Sequence, residues 1–173
     1  MLFLFAIVLG IVFGLLTGGK VGNLARIRFR WPWLVLAAVI VREAVLLTPL
    51  NRVAGAQYAY MLGLAAILAW TVWHWNRLSA LWLVSAGIAV NLLVMIANGG
   101  RMPVATELAG SLVRRGTVGQ YVVMSSDTHL NLLGDWIALY PVPEAYSPGD
   151  VLIALGLAIT VFIATATPAR IVS

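Results

Sequence analysis

Cysteine is absent, histidine is limited to His74 and His129, and only six residues are acidic. The first absence excludes disulfides, cysteine metal sites and thiol nucleophiles, while the redox compartment stays undecided. The second leaves too few ligands for a histidine metal site, because topology places the two residues on opposite faces of a membrane. Charge of any kind is scarce, at 10% of residues against about 25% in an average soluble domain. The net charge of +5 is read first as a topology signal, so nucleic acid is not an expected partner.

In place of charge the chain has apolar residues, 62% of the total, with a mean hydropathy of +0.98. About 20 apolar residues make one membrane span. Hydrophobic runs at about 2–18, 32–50, 57–75, 78–98 and 151–167 predict an all-α membrane protein, one transmembrane domain with a bundle of about five helices. Met1 to Leu16 has no basic leader, and Gly18-Gly19-Lys20 follows in place of a cleavage site, so this stretch is read as a retained first helix.

Lys20, Arg26, Arg28 and Arg30 lie between the first two runs without an acid, whereas every acidic residue but Glu43 lies between Glu107 and Asp150. The basic side is expected to be cytoplasmic. The N-terminus is then outside, the C-terminus with Arg170 inside, and the connection 99–150 on the outer face. Trp31, Trp33, Tyr58, Trp73 and Trp75 fall at run ends, where aromatic anchors belong.

The outer connection is too long for a plain loop between helices. Ala105 to Arg115 is expected as a short surface helix, broken near Gly116 to Gly119, and Leu130 to Leu139 as an apolar stretch that lies in the interface or dips into the protein. Pro141, Pro143 and Pro148 lead into the last helix, with Ser147 its cap, Pro148 in its first turn and Asp150 near its positive end.

Several polar groups stand out against this background. Arg42 and Glu43 are the charged pair inside a span, where each charge costs at least about 2.5 kcal/mol and requires a partner. Adjacent helical positions point about 100° apart, so the two are expected to be poor partners for each other. Asn91 lies at the same depth on the fourth span, about 11 Å below the outer end, and the three could meet in a polar pocket or a structural clamp. Asn98-Gly99-Gly100-Arg101-Met102-Pro103-Val104 ends the fourth span with one glycine more than a helix stop needs. Bare N–H groups and Arg101 there could hold a carboxylate or phosphate. Asp127, His129 and Asp135 invite a catalytic reading that no nucleophile or metal spacing completes, so no catalytic residue is assigned. Gly14 to Lys20 fits G-x-x-x-x-G-K, yet Val21 stands where a phosphate loop needs Ser or Thr. Gly10, Gly14 and Gly18, and again Gly156, Thr160 and Ala164, form small-residue ridges suited to close helix packing within a chain or between chains.

The run Asn98 to Val104, Thr128-x-Leu130 with Leu133-Gly134-Asp135, and Ser147-x-Gly149-Asp150 together resemble an uncharacterised bacterial membrane family, domain of unknown function 5317. The resemblance implies a helix bundle in a bacterial cytoplasmic membrane, with Asn98, Arg101, Asp135 and Asp150 in one assembly, and carries no activity or cofactor. Arg114-Arg115 has no place in that pattern.

The functional expectation is a non-enzymatic membrane protein whose segment 98–150 closes over the bundle. It would bind a small amphipathic or anionic ligand, lipid or quinone-like, or a protein partner, through Arg42, Glu43, Asn91, Asn98, Arg101 and Asp135. Two alternatives stand beside it: an accessory subunit of a larger membrane complex or a homo-oligomer, built on the small-residue ridges, and a small proton-coupled carrier using Glu43 and Arg42.

Overall fold

Each apolar run forms a helix, and local chemistry trims its ends. A computed structural model describes residues 1–27, 29–78, 80–110, 117–139 and 144–166. The α-helices are α1 (Leu2–Leu16), α2 (Pro32–Leu47), α3 (Ala56–His74), α4 (Leu81–Ala97) and α5 (Pro148–Ala166). The second ends before the expected Leu50 because Thr48 precedes Pro49 and is held extended, at φ −114° and ψ 169°. The fifth begins three residues early, since Pro148 is favourable in a first turn and Ser147 caps it. Ala56–Arg77 and Pro148–Ala166 are long and apolar enough to cross a membrane; α1 and α4 are apolar but shorter.

The helices pack in the order α2, α3, α4, α5, α1. Helix α4 is central, with Val84, Ile88, Leu92, Val94 and Met95 buried alongside Leu64 of α3 and Ile153 of α5. The ridge on α1 packs inside the chain: a Cβ on Gly10 would meet the Ala158 carbonyl oxygen at 2.5 Å, and one on Gly14 would meet Thr165 Cβ at 2.5 Å. The ridge on α5 turns Gly156 to Val84 of α4, where a Cβ would lie 2.7 Å from the backbone nitrogen. Small residues thus bring α5 close to both neighbours.

One end of the bundle carries a small β cap. Strands β1 (Met102–Val104), β2 (Thr117–Val118) and β3 (Tyr121–Val123) form a sheet in the order β1-β3-β2, with β1 parallel and β2 antiparallel to β3. Strands β4 (Ile137–Ala138) and β5 (Ala145–Tyr146) pair antiparallel. The expected surface helix over Ala105 to Arg115 is not found where described: 105–109 is a series of turns, closed by Leu108 N–H to the Ala105 carbonyl and Ala109 N–H to that of Thr106. Residues 111–116, with Arg114 and Arg115, lie outside the described residues, as do Arg28, Pro141, Pro143 and Arg170. The stretch 130–139 is divided: Leu132 and Trp136 are exposed, Asp135 is buried, and Leu133 packs on the core.

The second glycine after α4 has a backbone cause. Gly99 and Gly100 have φ of +63° and +87°, and a Cβ on Gly100 would stand 2.8 Å from Gln57 Cγ. The Gly100 N–H donates to the Met95 carbonyl at 2.7 Å, closing the helix end on itself.

Candidate functional site

Between the cap and the ends of the helices lies a cavity of about 570 Å³. Its floor and walls come from α2 (Arg42, Glu43), α3 (Tyr60), α4 (Asn91) and α5 (Asp150), and its roof from Gln120, Tyr121 and Asp135 of the cap. That volume is within the range of about 300–1,000 Å³ typical of small-molecule sites.

The α5 side is built by the helix start foreseen at Ser147. Asp150 N–H donates to Ser147 Oγ at 3.0 Å, and Ser147 N–H donates back to Asp150 Oδ2 at 3.1 Å, so two end groups are satisfied reciprocally. Asn91 joins this start to α4: its Nδ2 donates to Asp150 Oδ1 at 2.9 Å, and its Oδ1 accepts from Ser147 Oγ at 2.8 Å. Gly149 is required because a Cβ there would lie 2.7 Å from Asn91 Cγ. Both Asp150 oxygens are therefore occupied.

Arg42 and Glu43 are partners after all, contrary to the expectation from their directions on the helix: Arg42 Nη2 lies 2.8 Å from Glu43 Oε1, and Nε lies 3.2 Å from the same atom. The long arginine side chain curls back across the angle, because a part-buried charge left unpaired is costly. Its guanidinium carbon sits 5.6 Å from the Tyr60 ring centroid.

Asp135 differs from these groups. Its backbone extends the sheet, with its N–H donating to the Pro103 carbonyl at 2.8 Å and its carbonyl accepting from Ala105 N–H at 2.9 Å. The side chain is only 5% exposed, and Oδ1 has no hydrogen-bond partner among the described residues. Burial first, and the negative charge of Asp150 second, push this carboxyl up to about 8. Gln120, also lining the cavity, is 1% exposed, and its Nε2 has no hydrogen-bond acceptor among the described residues.

Of the six residues singled out in the sequence, Arg42, Glu43, Asn91 and Asp135 share this cavity, while Asn98 and Arg101 do not line it. Asn98 clamps the loop above: its Oδ1 accepts from His129 N–H and its Nδ2 donates to the His129 carbonyl, both at 2.8 Å. The Arg101 Nε is buried without a hydrogen-bond partner among the described residues. The suspected four-residue assembly thus reduces to Asp135 and Asp150. Tyr60, Gln120 and Tyr121 were missed. Gly63, one turn beyond Tyr60 and packed near Arg42 Cβ at 3.9 Å, marks the face of α3 that meets α2, and could have pointed to Tyr60. Nothing local in the sequence marks Gln120 and Tyr121.

No group of three or more potential metal ligands occurs among the described residues. Comparison with curated proteins and with solved structures returns no match. A family match covers residues 26–162, which takes in α2 to α4, the whole cap and most of α5. This chain belongs to the family of unknown function DUF5317.

Proposed function

We propose that this protein is a five-span membrane protein of the bacterial cytoplasmic membrane that binds a small amphipathic ligand in the cavity beneath its outer cap. The observation that carries the reading is a cavity of ligand size whose buried Asp135 and Gln120 hold unused hydrogen-bonding atoms. Buried polar groups are ordinarily satisfied, so atoms left open around a cavity point to a guest. Membrane placement of all five helices is supported by their bare apolar faces, with Phe5 and Phe13 on α1, Leu36 and Ile40 on α2, Leu62 on α3, Leu93 and Ile96 on α4, and Leu155 and Ile159 on α5 all exposed. The exposed Trp31, Trp33, Trp73 and Trp75 gather at the end opposite the cap, as an interfacial belt would. Lys20 and Arg30 share that end, which supports reading it as the cytoplasmic one and the cap as the outer one.

The accessory-subunit alternative is less favoured, since Gly10 and Gly14 of the α1 ridge face α5 and Gly156 of the α5 ridge faces α4, while a Cβ on Gly18 would meet nothing within 4 Å. Native mass spectrometry of the protein, gently solubilised from its own membrane, tests the reading. The expected result is one chain carrying a discrete small mass that is lost on Arg42→Ala or Asp135→Asn. A stoichiometric second polypeptide, or a chain that is bare in every preparation, would overturn it.

A further inference from the structure

Charge restricts what the cavity can hold. Glu43, Asp135, Glu144 and Asp150 line it, against two cations, Arg42 and the Met1 amine. Both cations are committed: Arg42 to Glu43 at 2.8 Å and the amine to Glu144 at 2.9 Å. Asp150 has a donor on each oxygen. An anionic guest would find both lining cations already paired with carboxylates. A quinone offers only acceptors, which Gln120 Nε2 and the protonated form of Asp135 can use, but it brings no positive charge to a cavity lined by four carboxyl groups.

Resting on the cavity reading above, we infer that the guest is a small organic cation whose ammonium or guanidinium group pairs with Asp135 under the cap. Its N–H groups supply the donor that Oδ1 lacks, and a charge-assisted bond in a buried site is the strong kind. Tyr60 and Tyr121 supply aromatic lining for a cation, with Arg42 already over the Tyr60 ring at 5.6 Å, and Leu64, Met95 and Met102 line the cavity for a hydrocarbon body. Pairing also moves a proton. With Asp135 raised to about 8, the empty cavity holds a carboxylic acid there at neutral pH. Arrival of the cation breaks that O–H bond, releases the proton to water and leaves the carboxylate paired; no other bond changes. The titratable groups that line the same cavity and bear on this exchange are Asp150 of α5, which acts directly on Asp135, Arg42 and Glu43 of α2, Tyr60 of α3, Tyr121 of β3, and the Glu144–amine pair.

Isothermal titration of the full chain in detergent with phenethylamine, 2-phenylethanol and 3-phenylpropionate, near-isosteric cation, neutral and anion, tests the assignment. The amine is expected to bind at least ten-fold tighter than either analogue. In two buffers of different ionisation enthalpy at pH 7 it should release close to one proton. Asp135→Asn should weaken the amine ten-fold or more and abolish the proton release. Tightest binding by the propionate, equal binding by the alcohol, or amine binding unchanged in Asp135→Asn would overturn the cation assignment. If that variant does not fold, the proton count on the unsubstituted protein decides, and a count of zero overturns it. Absence of saturable binding by all three also overturns it, whereas the cavity reading is judged separately by the co-purified mass, which presupposes no charge.

Discussion

The two ends of the bundle both bury polar groups, and they do so to opposite effect. At the end away from the cap, His74 is 1% exposed among Phe29, Trp70 and Trp73, and both ring nitrogens are used. Nδ1 donates to the Trp70 carbonyl at 2.8 Å, and Nε2 accepts from Arg30 N–H at 3.2 Å. Asn23 Nδ2 likewise donates to the Thr165 carbonyl at 2.8 Å. Thr165 Oγ1 has no partner among the described residues, yet it is a neutral hydroxyl on a residue wedged against Gly14. At the cap end, a carboxyl and an amide border a cavity with bonding capacity to spare. A buried polar group is therefore evidence of structure when its partners are complete and of a site when they are missing beside open space.

Substitutions at the two ends should separate these roles. The largest effect is expected in the pH dependence set by Asp135. An acid whose folded value is raised from 3.8 to about 8 keeps a proton that the unfolded chain has lost, so stability should fall as pH rises from about 4 to about 8, by at most about 1.4 kcal/mol per unit. Asp135→Asn should flatten that slope; a slope unchanged in thermal unfolding scans across the window would place the titrating group elsewhere. Next, His74→Ala at the closed end should cost about 2–4 kcal/mol through the void and the orphaned Arg30 and Trp70 groups, with the co-purified mass retained. Loss of that mass would erase the distinction between the ends. Asn91→Leu joins the two properties: about 2–3 kcal/mol lost, because Asp150 is left with an open oxygen, together with weakened ligand retention. Smallest, Ser147→Ala should remove about 1 kcal/mol as a lost cap, without changing which ligand is bound.

What was legible in the sequence follows the range of the interactions concerned. The helices and the Ser147 start depend on residues within a few positions of one another, and each was foreseen to within about three residues, a familiar uncertainty for element ends. The cap was not legible, since its strands are two or three residues long and pair Met102 with Tyr121 across nineteen positions, leaving no alternation to read. The expectation of a helix at Ala105 failed because the chain there hydrogen-bonds to Asp135, thirty residues on. Half of the site was visible all the same: a charge in an apolar run announces itself, as Arg42 and Glu43 did, whereas Asp135 gains its character only when the sheet buries it.

The pairing of the first helix with the last has a consequence for biogenesis. Gly10 and Gly14 find their surface on α5, and the Asn91 side chain finds its acceptor at Asp150, so neither contact exists until the final helix has been made. During synthesis the early helices must wait with a glycine face uncovered and an asparagine unpaired, and the cavity beneath the cap is the last part of the molecule to come into being. A chain halted before residue 148 would lack α5, and with it one wall of the chamber and the partner of α1.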